Sequence, residues 1–163
     1  VFPAFGLMEG FQHNDGYFDH TGLIYNGEGP GDPGVGVKKL GYYTYKKMTA
    51  TLAGADWSTL TVLHDGTGTD HLYLLKVLKD GEPVYIAWWD YFDEAGYKPG
   101  DTKTINISDV AGAEASVIPA VPAAASGREV TDFAAAFPER RVPVNGGTIT
   151  LQLGEEPVIA TAL

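Results

Sequence analysis

The chain has 163 residues, contains no cysteine and carries a formal net charge of −10 at pH 7. A chain of this length can bury a core without disulfides, and the lack of cysteine excludes both a disulfide framework and a thiolate metal site. The acidic balance disfavours nucleic acid and anionic membrane surfaces as partners, and no apolar run approaches the ~20 residues of a membrane span.

The N-terminal part combines a short apolar piece with a long polar loop. Val1 to Leu7 is typical of a short buried strand, although Pro3 excludes a mid-sheet position. Loops as long as the one that follows are usually functional or mobile. It is either a solvated structural loop or one with substrate-facing side chains, and on the second interpretation its polar residues are substrate-binding candidates. The candidates are His13, Asn14, Asp15 and Tyr17. No metalloprotease or EF-hand spacing accompanies them, so we predict no metal and no cofactor.

A Gly/Pro-rich segment, residues 31–39, leads into the one substantial predicted helix. It lacks the spacing of a phosphate-binding P-loop, because no lysine directly follows its sixth residue and no Ser or Thr follows the lysine. We therefore predict a plain loop and helix start. Apolar or half-apolar residues then recur every four positions, which predicts one helix face, and Gly54 suits the position just past the helix end. The residues of this face are Leu40, Thr44, Met48 and Leu52.

After the helix, short apolar or alternating segments continue almost to the end of the chain. The pair Asp80-Gly81 separates two of them and predicts a tight hairpin. Roughly seven to nine short strands at this turn spacing favour a mainly β fold, an antiparallel β-sandwich preceded by one strand-loop-helix segment. We expect two domains, residues 1–54 and 55–163. The clearer strand segments are 60–63, 72–78, 84–92, 102–107, 115–121, 148–153 and 157–160, and 133–137 and 141–144 are less clear.

Two adjacent tryptophans on one predicted strand are candidate binding residues. Strand geometry places Trp88 on one face of the sheet and Trp89 on the other, with Tyr91 beside Trp89. Exposed aromatic rings stack on the apolar faces of sugar rings, so we list Trp88 and Trp89 as substrate-binding candidates. The alternative is that one face is sandwich core and the other packs on a neighbouring domain. The acidic residues are scattered over turns, so no carboxylate pair for glycoside hydrolysis can be assigned.

The order of three motifs resembles a known family. Gly22-Leu23-Ile24 precedes Lys39 to Tyr45, and Pro157-Val158-Ile159 stands near the end of the chain. In this order they resemble the C-terminal end of retaining glycoside hydrolases built on a (β/α)₈ barrel, where a last barrel strand and helix are followed by a β-sandwich.

The resemblance implies an assignment of each part of the chain. Phe2 to Leu7 would be the eighth barrel strand, Lys38 to Leu52 the eighth helix, and Ala55 onward the sandwich. The general acid/base and the nucleophile of such enzymes lie on the fourth and seventh strands, which would precede Val1. Relatives often carry a tryptophan at the end of the eighth strand, where this chain has phenylalanines instead.

These implications give one principal hypothesis and one rival. The principal hypothesis is the C-terminal part of a secreted or extracytoplasmic glycoside hydrolase, whose sandwich supports the barrel or helps to bind a polysaccharide or oligosaccharide. This chain would lack the catalytic carboxylates, and the missing barrel would be its partner. The rival is a stand-alone, non-enzymatic carbohydrate-binding or cell-surface β-sandwich module.

Overall fold

A computed structural model describes residues 22–27, 31–68 and 70–163 of the chain. Within them one α-helix precedes eight strands, so the mainly β fold with a preceding helix is confirmed. The predicted strand at residues 1–7 lies outside the described residues. The elements are α1 (Leu40–Leu52), β1 (Ala55–Asp65), β2 (Leu72–Lys79), β3 (Glu82–Trp89), β4 (Lys103–Ile107), β5 (Glu114–Pro119), β6 (Arg140–Pro143), β7 (Ile149–Leu153) and β8 (Val158–Ala162).

The strands form two antiparallel sheets. The larger has six strands in the order β1-β2-β3-β8-β5-β6, and the smaller pairs β4 with β7. Side chains from both sheets share the larger core cluster, in which Ile107, Ile149, Leu151 and Leu153 are fully buried. The small sheet therefore covers one face of the large sheet, as two layers of a sandwich do.

The hairpin between β2 and β3 follows the predicted turn. Asp80 and Gly81 both have positive φ, 54° and 85°, as a type I′ turn requires. From this turn the two strands pair without a break, from Lys79 opposite Glu82 to Leu72 opposite Trp89. The predicted hairpin is confirmed, and its two-residue turn sets the register of every pair along it.

Helix α1 ends at Leu52, which is buried in a second core cluster. Leu52 packs with Val77, Val84 and Ile159 on the face of the large sheet opposite the small one. Gly54 has a φ of 80°, as predicted for the residue just past the helix end. The predicted apolar face of α1 is only partly buried, because Met48 is exposed and Leu52 is the one residue of α1 that is buried.

The weakly predicted strand at residues 133–137 is wrong. The segment is a turn in which the Asp132 carboxylate accepts the N–H groups of Ala134 and Ala135, and Ala136 N–H donates to the Asp132 carbonyl. An aspartate that bonds nearby backbone groups in this way offers the chain an alternative to a strand ladder.

The chain divides into two compact units. One comprises Val1–Thr49 and Val121–Ala136, and the other comprises Ala50–Ala120 and Phe137–Leu163. The first unit is therefore built from two separate stretches of sequence, and the sandwich lies in the second. In the described part of the chain, no helix has both the length and the apolar character needed to cross a membrane.

Candidate functional site

The two candidate tryptophans of β3 lie on opposite faces of the large sheet. Trp89 is 4% exposed and belongs to the main core, where its ring meets Tyr91 and Tyr97 edge-on at 6.1 Å and 5.6 Å between centroids. Trp88 is half-buried on the other face. Only Trp88 therefore presents ring surface that a ligand can reach without opening the sandwich.

Trp88 forms a stacked pair with a tyrosine that the sequence had not singled out. Tyr73 lies directly opposite Trp88 in the β2–β3 ladder, and their rings are parallel to within 2° with centroids 4.7 Å apart. A β-carbon built at Gly66 would overlap the Tyr73 ring, so the β1–β2 loop closes against the edge of that ring. Register therefore fixes the pair on one side and the loop fixes it on the other, so the orientation of both rings is preset.

The segment after β3 forms a second aromatic cluster. Tyr91 stacks on Phe92 at 4.4 Å and lies 4.7 Å from Tyr97, again between ring centroids. Phe92 is 82% exposed, the largest exposure among the large hydrophobic residues that the structure describes. Alternation along the strand did not reveal this cluster, because Phe92 lies in a short 3₁₀ turn at Tyr91–Asp93 that follows β3.

Charged groups border this aromatic cluster. Lys103 forms an ion pair with Glu94, donates to the Asp70 carbonyl at 2.9 Å and lies 5.4 Å from the centroid of the Trp89 ring. The hydrogen bond from Lys103 lowers the pKa of the Glu94 carboxyl. Trp89, Glu94, Tyr97 and Lys103 are among the residues that line a cavity of about 220 Å³.

Tyr97 connects the cluster to the β7–β8 loop. Its hydroxyl donates a hydrogen bond to the Glu155 carboxylate. Desolvation and this carboxylate together raise the pKa of Tyr97 to about 12, because both disfavour a phenolate. Tyr97 therefore stays a hydrogen-bond donor at any physiological pH.

A larger groove lies beside this loop and is predominantly acidic. Its volume is about 630 Å³, and it is lined by four carboxylate side chains and by Arg140. Among the residues that the structure describes, no group of three or more His, Asp or Glu side chains is arranged to hold a metal ion. The four acidic residues are Asp101, Glu139, Glu155 and Glu156.

Four other predicted binding residues cannot be placed relative to the Tyr73–Trp88 pair. His13, Asn14, Asp15 and Tyr17 lie outside the described residues. The structure thus brings Trp88 together with Tyr73 and separates it from Trp89, which is buried in the core.

Comparisons with known proteins give matches among solved structures alone. No family model matches the chain, and no curated protein matches it. A 4-O-α-L-rhamnosyl-β-D-glucuronidase from Fusarium oxysporum matches over 71% of this chain and 28% of its own, with 18% identity and a TM-score of 0.49. A bifunctional glucanase-xylanase from a metagenome library matches over 56% of this chain and 15% of its own, with 16% identity and a TM-score of 0.38. A GH30 endoxylanase from Clostridium papyrosolvens matches over 63% of this chain and 22% of its own, with 10% identity and a TM-score of 0.38. The chain thus spans less than a third of each of these proteins.

Proposed function

We propose that this chain is the C-terminal part of a secreted or extracytoplasmic glycoside hydrolase whose catalytic carboxylates lie on polypeptide outside these 163 residues. In this proposal the sandwich supports a barrel and contributes to binding a polysaccharide or oligosaccharide. The order of a helix followed by an antiparallel sandwich supports the assignment, since the resemblance of the sequence motifs implies this same order.

The observation that carries the proposal is the amount of large apolar surface left exposed. On β1, four large apolar side chains within seven positions are exposed. In the other unit, taken by itself, Tyr45 and Met48 of α1 are also exposed. A self-contained soluble domain rarely leaves four large apolar groups this close together on one strand in water, and such surfaces usually contact other protein. The exposed residues of β1 are Trp57, Leu60, Val62 and Leu63.

One row of the large sheet supports the same conclusion. Val62, Leu75, Ile86, Ile159 and Ile118 lie side by side across five strands, on the face opposite the small sheet. Ile159 is buried, whereas Val62 at the β1 end of the row is 57% exposed. An aliphatic row that runs out to an exposed edge fits a face that additional polypeptide covers in the complete enzyme.

The mass of the native protein tests this proposal directly. An antibody raised against this chain would be used to recover the protein from culture supernatant and from cells of the source, followed by intact mass measurement and N-terminal sequencing. The proposal expects a polypeptide carrying on the order of 200 further residues ahead of Val1, a barrel of ordinary size, and glycosidase activity in the recovered material. A native protein of 163 residues without such activity would refute it.

A stand-alone carbohydrate-binding module is the second candidate, and the Tyr73–Trp88 pair favours it. Stacking covers one face of each ring, so the other face of the half-buried Trp88 ring is the apolar surface on which a sugar ring would stack. Affinity electrophoresis in gels containing soluble glycans would measure retardation of the wild type, of Trp88→Ala and of Trp57→Ala. Trp57 is a matched control, because it is an exposed tryptophan on β1 outside the pair.

The two tryptophan variants separate specific from nonspecific retardation. Retardation that Trp88→Ala loses and Trp57→Ala keeps would support a glycan contact at the pair. Equal loss in both variants would indicate nonspecific adhesion of exposed aromatics. No retardation of the wild type in any glycan would exclude the module function, while the mass measurement would still decide the principal proposal.

A further inference from the structure

The chain contains one sequon, a triplet Asn-X-Ser/Thr in which X is not proline, at Asn106-Ile107-Ser108. Such a triplet is the acceptor sequence for N-linked glycans in proteins that pass through a eukaryotic secretory pathway. Short triplets also occur by chance, so the fold has to be suited to the modification. Three features are needed: an outward-facing side chain, an amide nitrogen that the fold does not use, and surroundings that stay in water.

The sequon crosses the end of β4 with its two polar residues exposed. Asn106 is exposed, Ile107 is fully buried in the larger core cluster, and Ser108, just past the strand, is exposed again. This is the alternation of a half-buried strand, in which residues i and i+2 share a face. The acceptor amide and the hydroxyl that the transferase requires are therefore both on the solvent side.

The Asn106 amide uses its oxygen in the fold and leaves its nitrogen available. Thr150, directly opposite in β7, donates its hydroxyl hydrogen to Asn106 Oδ1 at 2.8 Å. The described residues supply no hydrogen-bond acceptor to Asn106 Nδ2. An amide oxygen stays an acceptor after its nitrogen is glycosylated, so the bond from Thr150 persists and continues to fix the orientation of the amide.

The outer face of the small sheet around Asn106 is polar. Its side chains are joined across the two strands, as by the hydrogen bond from Gln152 Nε2 to Thr104 Oγ1 at 2.8 Å. No large hydrophobic residue of β4 or β7, both fully described, is exposed, whereas β1 exposes four. Apolar surfaces are where further polypeptide attaches, so this polar face suits a bulky hydrated glycan. The exposed residues of the face are Thr104, Asn106, Thr150 and Gln152.

We propose that Asn106 carries an N-linked glycan in the secreted protein. In the transfer, Nδ2 bonds to the anomeric carbon of a lipid-pyrophosphate-linked oligosaccharide and loses one of its protons. The bond from that carbon to the pyrophosphate oxygen breaks, and the lipid pyrophosphate leaves with the electron pair. Transfer precedes folding, so the fold has only to leave room for the product. The site rests on the proposed function, since the chain meets the transferase only if a eukaryotic cell secretes it.

Mass spectrometry of the native protein recovered from culture supernatant tests the site. Trypsin releases the peptide Thr104–Arg128, in which Asn106 is the single asparagine. We expect this peptide at its encoded mass plus that of a glycan and, after treatment with peptide-N-glycosidase, at the mass of an Asn106→Asp conversion. Detection of the peptide at its encoded mass alone, before and after treatment, would overturn the proposal.

Variants of the complete polypeptide, secreted from a eukaryotic host, test whether the triplet directs the modification. Asn106→Gln and Ser108→Ala should each abolish the glycan on this peptide, whereas Ser108→Thr, which keeps the hydroxyl, should retain it. Ser108→Ala leaves the contact between Asn106 and Thr150 in place, so loss of the glycan in this variant does not come from that contact. Asn145→Gln is the matched control, because Asn145 is exposed and is followed by two glycines. A glycan that persists in Ser108→Ala, or is lost equally in Asn145→Gln, would contradict the proposal.

The readouts separate this site from the proposed function. A glycan on the peptide Thr104–Arg128 of a longer, active glycosidase would support both. The same glycan on a native protein of 163 residues without activity would support the site and refute the proposed function. An unmodified peptide in a longer, active enzyme would refute the site and leave the proposed function standing.

Discussion

Leu151→Ala gives the sharpest test of how the two sheets pack. Leu151 is 0% exposed at the centre of β7, opposite Ile105 in β4, and lies in the cluster shared by both sheets. The substitution removes three buried carbons at ~0.8 kcal/mol each, a transfer term of ~2.4 kcal/mol. The cavity left behind adds to this, so we expect the free energy of unfolding to fall by about 3–4 kcal/mol.

The assay is urea unfolding followed by circular dichroism, with Leu60→Ala as the matched control. Leu60 is 44% exposed on β1, so the same three carbons are already partly hydrated, and we expect a smaller loss of ~1–1.5 kcal/mol. Equal denaturant slopes would show that both variants unfold from a comparably compact state. The packing of the small sheet on the large one would be refuted if Leu151→Ala cost no more than Leu60→Ala.

Three further predictions concern the turn and the charged cluster after β3. Gly81→Ala should lower the free energy of unfolding by about 1–2 kcal/mol, because φ at this turn position is 85°. Gly96→Ala also replaces a positive-φ glycine but lies outside the β2–β3 hairpin, so the amide hydrogen exchange of the residues next to Asp80 should stay unchanged in that variant. Lys103→Met should destabilise the fold at neutral pH, and the difference in stability from the wild type should shrink as acid protonates Glu94. The pKa of Glu94 is lowered in the folded state, so its contribution to stability is present above the unfolded-state pKa and is lost as pH falls through the folded-state pKa. Acid unfolding curves of both proteins would measure this difference. The pKa of Tyr97 is raised in the folded state, so the free energy of unfolding of the wild type should fall as pH rises from about 10 towards 12. An equal fall over this pH range in Tyr97→Phe would contradict this prediction.

The hairpin shows what the sequence could predict. Alternation along β3 and the Asp80-Gly81 turn placed Trp88 and Trp89 on opposite faces, and the structure agrees. The same turn could have identified Tyr73 as the partner of Trp88, since both residues lie seven positions from the turn. Register arithmetic works here because a two-residue turn leaves no freedom in the pairing.

Other features could not be inferred from local patterns. Segment 60–63 was predicted as a short strand, but β1 runs from Ala55 to Asp65. Its first part is irregular, because the Asp56 carboxylate accepts bonds from Ser58 and the pairing with β2 shifts register between Asp56 and Thr61. The close backbone approach of Gly127 to Lys38 brings together residues that are 89 positions apart. Such contacts depend on tertiary packing, which leaves no periodic signal in the sequence.

The discontinuous composition of the first unit has a consequence for the timing of folding. Its first stretch ends at Thr49, and its second begins at Val121. During synthesis at ~5–20 residues per second, the 121–136 stretch emerges roughly 4–14 s after the first is complete. Through that interval the ring of Phe133, which lies 6.5 Å from that of Tyr43 and beneath the Lys46 ammonium, is missing from the unit. The first unit therefore cannot be completed until β1–β5 have been synthesised, and residues 1–54 expressed alone would permanently lack the 121–136 stretch.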